Sequence, residues 1–97
     1  MGALLKRQLL DGSRAFGEVP LRASLRQVRD HLLRLPGATI TGFVRGDHAD
    51  ADACIDFDWE GYAFTIHDRS RGYRFAVADP ACPEALLRSI LVHFAQL

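Results

Sequence analysis

One segment of this chain, CIDFDWEGYAFTIH at residues 54–67, constrains the fold more than any other. Apolar residues alternate with polar or small ones on both sides of Glu60-Gly61, a pair that suits a two-residue hairpin turn. Folding the segment about this pair brings three apolar residues of one strand opposite three of the next: Trp59 and Tyr62, Phe57 and Phe64, Ile55 and Ile66. The sequence therefore predicts an antiparallel hairpin with one core face and one polar face.

Patterns before the hairpin predict a helix and a further strand. Ser24 is followed three residues later by Gln27, as in a capping box, and the helix is expected to run to about Arg34. Leu35-Pro36-Gly37 would end it, because proline disfavours helical geometry in the residue before it. The segment from 38 to 45 is rich in β-branched and aromatic residues and predicts the first strand.

Patterns after the hairpin predict one more strand and a terminal helix. Tyr73, Phe75 and Val77 alternate with Arg74 and Ala76, which indicates a fourth strand with one apolar face. The last helix is expected to start at Asp79-Pro80 or at Cys82-Pro83, because proline is well tolerated in a first helical turn. Its apolar stripe consists of Leu87, Ile90, Leu91 and Phe94.

These elements predict an α+β two-layer sandwich. A four-stranded antiparallel meander carries an N-terminal and a C-terminal helix on one face, in the order α-β-β-β-β-α, and residues 24–97 form a single domain. Residues 1–23 are predicted to be an N-terminal arm or a short helix around Leu4 to Leu10, since Asp11-Gly12-Ser13 and Pro20 interrupt regular structure.

The bulk composition favours a small protein that folds without a cofactor. The chain has 97 residues, 48% of them hydrophobic and 25% charged, which is enough for one core. No segment has the length of a membrane span or the pattern of a signal peptide, so we expect a cytoplasmic location in a bacterium. The two cysteines, Cys54 and Cys82, are expected to be free thiols in a reducing compartment.

The charges are balanced in total but separated along the chain. A formal net charge of zero argues against nonspecific nucleic-acid binding, which needs a basic surface. Arginines dominate the charges of the first third, whereas the centre is acidic through Asp47, Asp50, Asp52, Asp56, Asp58 and Glu60. Such regions can pair within one molecule or between two, and we expect a homodimer or another protein partner.

The polar face of the sheet is the candidate interaction surface. It consists of Asp56, Asp58, Glu60, Thr65, His67 and Arg74. Carboxylates beside an imidazole can perform acid–base chemistry, but a sheet face in water lacks the low dielectric that makes such groups effective. We expect an ordinary polar face with a cross-strand Asp to Arg contact, which becomes an interface or a site if a second subunit covers it.

No catalytic motif accompanies these groups. The acidic segment 47–52 does not fit an EF-hand, because counting from Asp50 places Cys54 at the fifth position and Gly61 at the twelfth. Four scattered histidines do not make a zinc site. Cys82 near a helix start is interpreted as a small buried residue, although the helix dipole at such a position can activate a thiol.

The sequence thus predicts a non-enzymatic interaction or regulatory protein, in one form an immunity or inhibitor protein that covers a basic active site with its acidic surface. The alternative is a small-ligand or metal-dependent catalytic domain that uses Cys82 with a histidine, or the group Asp56, Asp58 and His67. A third hypothesis, nucleic-acid binding, depends on an arginine stripe on the first helix formed by Arg22, Arg26 and Arg29.

Overall fold

The hairpin at the centre of the chain forms in the predicted register. The computed structural model describes residues 7–9, 12–19, 23–44, 53–69 and 72–97. Strands β4 (Cys54–Trp59) and β5 (Tyr62–Arg69) pair antiparallel, with Trp59 opposite Tyr62 and Phe57 opposite Phe64. Glu60 and Gly61 have φ of 53° and 82°, the left-handed geometry that a tight hairpin with natural strand twist requires. The prediction for this hairpin is confirmed.

The sheet has more strands than predicted. Strands β3 (Thr39–Val44), β4, β5 and β6 (Gly72–Val77) form the expected meander, and β2 (Arg14–Val19) pairs with β6 at the other side. The two-residue strand β1 (Arg7–Gln8) pairs with β2, which gives the order β1-β2-β6-β5-β4-β3. The antiparallel α+β class is confirmed, but the count of four strands is wrong, because β2 is a fifth full strand.

A bulge explains why β2 gives no clear strand pattern. Ala15 lies opposite Ala76 and Gly17 lies opposite Phe75, so Phe16 is an extra residue in the ladder. Phe16 nevertheless is fully buried and contacts Phe75. Because a bulge shifts the alternation by one residue, apolar and polar positions do not alternate along this segment. The helix predicted around Leu4 to Leu10 is wrong for Arg7 and Gln8, which are strand, and both of its ends lie outside the described residues.

Both predicted helices are present. Helix α1 (Leu25–Leu32) has Ser24 as its N-cap, and Ser24 and Gln27 exchange the two hydrogen bonds of a capping box. Helix α2 (Glu84–Phe94) has Pro83 at its N-cap position, which selects the second of the two predicted starts. None of the helices in the described part of the chain is long and apolar enough to cross a membrane.

The two helices pack on one face of the sheet, the inner face. Aromatic and aliphatic side chains from the strands and both helices form one core there: Phe16, Val28, Leu32, Leu35, Ile55, Phe57, Trp59, Phe64, Ile66, Tyr73, Phe75, Val77, Leu87, Ile90 and Phe94. The opposite face, which we term the outer face, carries Asp56, Asp58, Ala63, Thr65, His67, Arg74 and Ala76. No helix of the described residues covers this face.

Candidate interaction surface

The strand register places most of the candidate residues on the outer face. Asp56 lies opposite Thr65, and Thr65 lies opposite Ala76. One row further along, His67 lies between Cys54 and Arg74. Side chains directly opposite one another in adjacent antiparallel strands point to the same face, so these groups form two neighbouring rows.

Glu60 does not belong to these rows. The alternation of Asp56 and Asp58 predicts that Glu60 lies on the same face. Strand β4 ends at Trp59, however, and Glu60 is the first residue of the turn. Its backbone is left-handed, so strand alternation does not set the direction of its side chain. Asp58 and Glu60 are both exposed and place negative charge at the hairpin end of the surface.

Asp56 has a specific partner within the sheet. The Thr65 hydroxyl donates a hydrogen bond to Asp56 Oδ1 at 2.7 Å. Gly42 lies across from Asp56 on β3, and a Cβ at Gly42 would lie only 3.0 Å from Asp56 Oδ2. The missing side chain therefore leaves space for the carboxylate. The predicted cross-strand contact of an aspartate with an arginine is replaced, at Asp56, by this bond to Thr65.

The outer face forms an open concave surface of about 410 Å³. Asp56, Thr65 and His67 line it together with the small residues Ala63 and Ala76. Twist curves a sheet, and small side chains in the middle of a curved face leave a depression between the larger ones. The depression is partly open to solvent, so another macromolecule can contact its rim.

Arg74 lies on the outer face and has a buried donor without a partner in the described part of the chain. It lies between His67 on β5 and Glu18 on β2 in the ladder. Arg74 Nε is buried and has no hydrogen-bond partner in the described part of the chain. A buried donor without an acceptor costs about 1–3 kcal/mol of stability.

Cys82 has the environment of a structural thiol. Its side chain is 3% exposed, and Sγ lies 3.9 Å from the carbonyl oxygen of Pro83. Burial raises the pKa of the Cys82 thiol, the negative charge of Asp79 raises it further, and Arg14 opposes them with a smaller effect. A raised pKa leaves less of the nucleophilic thiolate at neutral pH, opposite to what a catalytic cysteine needs.

The remaining predicted site residues are not brought together. Among residues 7–9, 12–19, 23–44, 53–69 and 72–97, no group of three or more His, Cys, Asp or Glu side chains could hold a metal ion. The acidic segment 47–52 and Arg22 lie outside the described residues. Arg29 is engaged within the molecule, because its Nη2 lies 3.1 Å from Asp30 Oδ1 and its guanidinium lies over the Phe43 ring.

One histidine pair was not predicted. The Nε2 atom of His31 in α1 lies 2.7 Å from the His93 carbonyl oxygen, and His93 Nε2 lies 2.7 Å from the His31 carbonyl oxygen. The two rings stack with centroids 4.2 Å apart. The signal in the sequence is weak: each histidine lies in the last turn of an amphipathic helix, but no local pattern shows which helices meet.

No protein-family model, curated protein or solved structure is detectably similar to this chain.

Proposed function

We propose that this chain is a small non-enzymatic interaction protein that binds a protein partner with its outer face. The observation that carries the proposal is the open concave surface of about 410 Å³, bordered by ionisable groups on a sheet whose opposite face is filled by the core. Polar and charged rims around a small-residue floor favour recognition of another protein surface.

The distribution of charge indicates what the partner presents. Asp58 and Glu60 are exposed at the hairpin end and would attract basic side chains. Arg74 lies two strands away, is half-buried, and presents a positive charge to a carboxylate of the partner. In the immunity or inhibitor form of this proposal, the acidic end covers a basic active site of the partner.

The chemistry of the surface supports binding more than catalysis. Asp56 already accepts a short hydrogen bond from Thr65, so one of its carboxylate oxygens is engaged within the sheet. The Cys82 thiol is buried with a raised pKa. The competing hypothesis of a metal site at Asp56, Asp58 and His67 requires a rise in melting temperature when divalent metals are added, and we expect none.

Site-specific photo-crosslinking tests the proposal and can capture a partner of any identity. A photoreactive amino acid is placed at Ala63, which is exposed on the outer face, and in a matched variant at Ala85, which is exposed on α2. In cells that produce the protein, we expect one discrete adduct from position 63 and none from position 85. No adduct at position 63, or the same adducts from both positions, would overturn the proposal.

Charge variants then test how the partner is bound. Asp58→Asn and Arg74→Gln are each expected to reduce the adduct from position 63, whereas Arg88→Gln on α2 leaves it unchanged. Arg74→Lys keeps the charge but removes the planar guanidinium, so it should resemble Arg74→Gln if the partner binds Arg74 through a bidentate carboxylate contact. Full adduct yield in all of these variants would show that the outer face does not select the partner by charge.

A further inference from the structure

The edge of the sheet at β3 lacks the charges and prolines that commonly prevent pairing with another strand, although it contains one bulge. β3 hydrogen-bonds to β4 on one side, and no described strand pairs with its other side. Its sequence, TITGFV, contains no charged residue and no proline. Charges, prolines or very short length normally protect an exposed edge, and this edge has six residues without those protections.

A bulge in β3 puts its two large apolar residues on the same face. Ile40 lies opposite Phe57 and Phe43 lies opposite Ile55, while the ladder skips Thr41 between them. Both Ile40 and Phe43 therefore point to the inner face, and both are only half-buried. Thr41 is exposed. The edge thus offers an apolar row beside backbone groups that no described strand pairs with.

Helix α1 extends this apolar row. The Arg29 guanidinium carbon lies 5.7 Å from the centroid of the Phe43 ring, so this flank of α1 lies above the β3 edge. Leu33 follows Arg29 by four residues and therefore lies on the same flank. The side chain of Leu33 is 58% exposed, the highest value among the large hydrophobic residues in the described part of the chain.

We infer that a second copy of this chain pairs with the β3 edge, antiparallel and about a two-fold axis between Thr41 and Gly42. In this register each Ile40 lies opposite Phe43 of the second copy, and each Thr41 lies opposite Gly42. Ile40 and Phe43, which both point to the inner face, therefore contact each other across the two strands. The apolar contact is made twice because of the symmetry, and the Leu33 flanks of the two α1 helices face one another above it.

A second copy fits this edge better than an unrelated strand because the strand is complementary to itself in that register. The absence of charge on β3 also means that symmetry brings no like charges of the strand together. The dimer would form through the β3 edge and the Leu33 flank of α1, whereas the proposed partner contacts the outer face; the two surfaces meet at Thr41, which also lines the depression. The inference does not depend on the proposed function, and a substitution of Leu33 tests the edge without changing the outer face.

Sedimentation velocity of the full chain, from micromolar to millimolar concentration, tests this dimer. The wild type is expected to approach twice the 10.8 kDa chain mass as concentration rises. Thr41→Lys would place two lysines next to the two-fold axis, and Leu33→Glu would place acids in the apolar contact. Each should weaken the dimer by about tenfold or more.

Val92→Glu is the matched control for Leu33→Glu, because Val92 is 42% exposed but lies on α2. It should dimerise like the wild type, and unchanged urea midpoints would show that all three variants fold. A single-chain mass at every concentration, or equal effects of Leu33→Glu and Val92→Glu, would overturn the inference.

Isotope-filtered NOE spectra of mixed labelled and unlabelled chains test the register, because they should show Ile40 methyl groups near the Phe43 ring of the other copy. A dimer that is abolished by Arg74→Gln and unaffected by Leu33→Glu would instead place the contact on the outer face, and would also overturn the inference.

Discussion

Two aromatic side chains attach the ends of α1 to the sheet. The Tyr73 hydroxyl donates to the carbonyl oxygen of Ala23 at 2.6 Å, just before the helix. Trp59 Nε1–H donates to the carbonyl oxygen of Pro36 at 2.9 Å, just after it. Tyrosine and tryptophan bury their rings at little cost only when their polar atoms find partners. These two bonds hold α1 over β4 and β6, and so help to set the flank that lies beside the β3 edge.

Tyr73→Phe removes one of these hydrogen bonds and also the phenol that titrates at high pH. It therefore shows how the Tyr73 hydroxyl affects stability at each pH. At neutral pH we expect the variant to be less stable by about 1 kcal/mol, because the Ala23 carbonyl loses its donor. Burial raises the pKa of Tyr73, and the charge of Asp68 raises it further. The folded state therefore favours the neutral phenol. The stability that the neutral Tyr73 phenol contributes is fully present below about pH 10, the pKa of tyrosine in the unfolded chain. It is lost as the pH rises through the pKa of Tyr73 in the folded protein.

Urea midpoints of the wild type and Tyr73→Phe should therefore converge in alkaline solution. Asp68→Asn is the companion variant, and it should lose less stability than the wild type at high pH because the repulsion of the phenolate is smaller. A constant difference between the wild type and Tyr73→Phe from neutral to alkaline pH would contradict this explanation.

Reaction of Cys82 with a disulfide reagent tests its structural role. In a Cys54→Ala background, we expect Cys82 to react much more slowly than free cysteine at neutral pH, because the thiol is buried and its pKa is raised. Unfolding in urea should remove the difference, and Asp79→Asn should accelerate the reaction of the folded protein. A rate above that of free cysteine would instead support the catalytic alternative for Cys82.

At the scale of elements, the histidine pair joins the C-terminal ends of α1 and α2. A carbonyl oxygen only accepts, so the short contacts to the His31 and His93 carbonyls require that both rings carry a proton on Nε2. The rings stack, and each also contacts Phe94 edge-on. This arrangement connects the two helices directly instead of only through the sheet below them.

A double-mutant cycle measures the strength of this connection. His31→Ala and His93→Ala are each expected to lower the free energy of unfolding by about 1–2 kcal/mol. Since either change breaks the reciprocal arrangement, the double variant should lose less than the sum, with a coupling free energy of about 0.5–3 kcal/mol. Urea unfolding of the four proteins gives the cycle. Additive losses would show that the two histidines stabilise their helices independently.

The elements that sequence reasoning predicted are those whose signals are local. The β4–β5 register follows from alternation on both sides of one turn, and α1 follows from the capping residues Ser24 and Gln27. Strand β2 was missed because the bulge at Phe16 breaks its alternation and because its partner β6 lies far along the chain. The His31–His93 contact joins residues 62 positions apart, for which a single sequence gives no signal.

The candidate surface was predictable to the same extent. Strand pairing places Asp56, Asp58, Thr65 and His67 on the same face of the sheet, and the alternation of apolar residues determines that pairing. The concavity depends on sheet twist and on the small residue Ala76, and neither is visible as a pattern. The turn geometry that separates Glu60 from the row also follows from three-dimensional structure and not from spacing.

At the scale of the whole molecule, β2 connects the sheet edge, the core and α2. Phe16 is fully buried, with its ring centroid 6.0 Å from that of Phe64 and 6.2 Å from that of Phe75. Gly17 lies directly beneath α2, since a Cβ there would lie 2.6 Å from Leu91 Cδ2. Arg14 is also buried, with Nη2 3.8 Å from Glu84 Oε1 at the start of α2. Without β2, the β6 edge and part of the aromatic core would be exposed to water.

Truncation tests whether residues 24–97 fold without this strand. Deletion of residues 1–23 removes the ladder with β6 and the Phe16 side chain together, and we expect the fragment to lose cooperative urea unfolding, monitored by the fluorescence of the single tryptophan, Trp59. Phe16→Ala alone should lower the free energy of unfolding by about 3–5 kcal/mol, a large part of the roughly 5–15 kcal/mol typical of a domain. Deletion of residues 1–6 is the control, because it leaves β1 and β2 intact. A fragment 24–97 that unfolds cooperatively at the wild-type midpoint would show that β2 is an accessory strand and that the meander with its two helices is the complete folding unit.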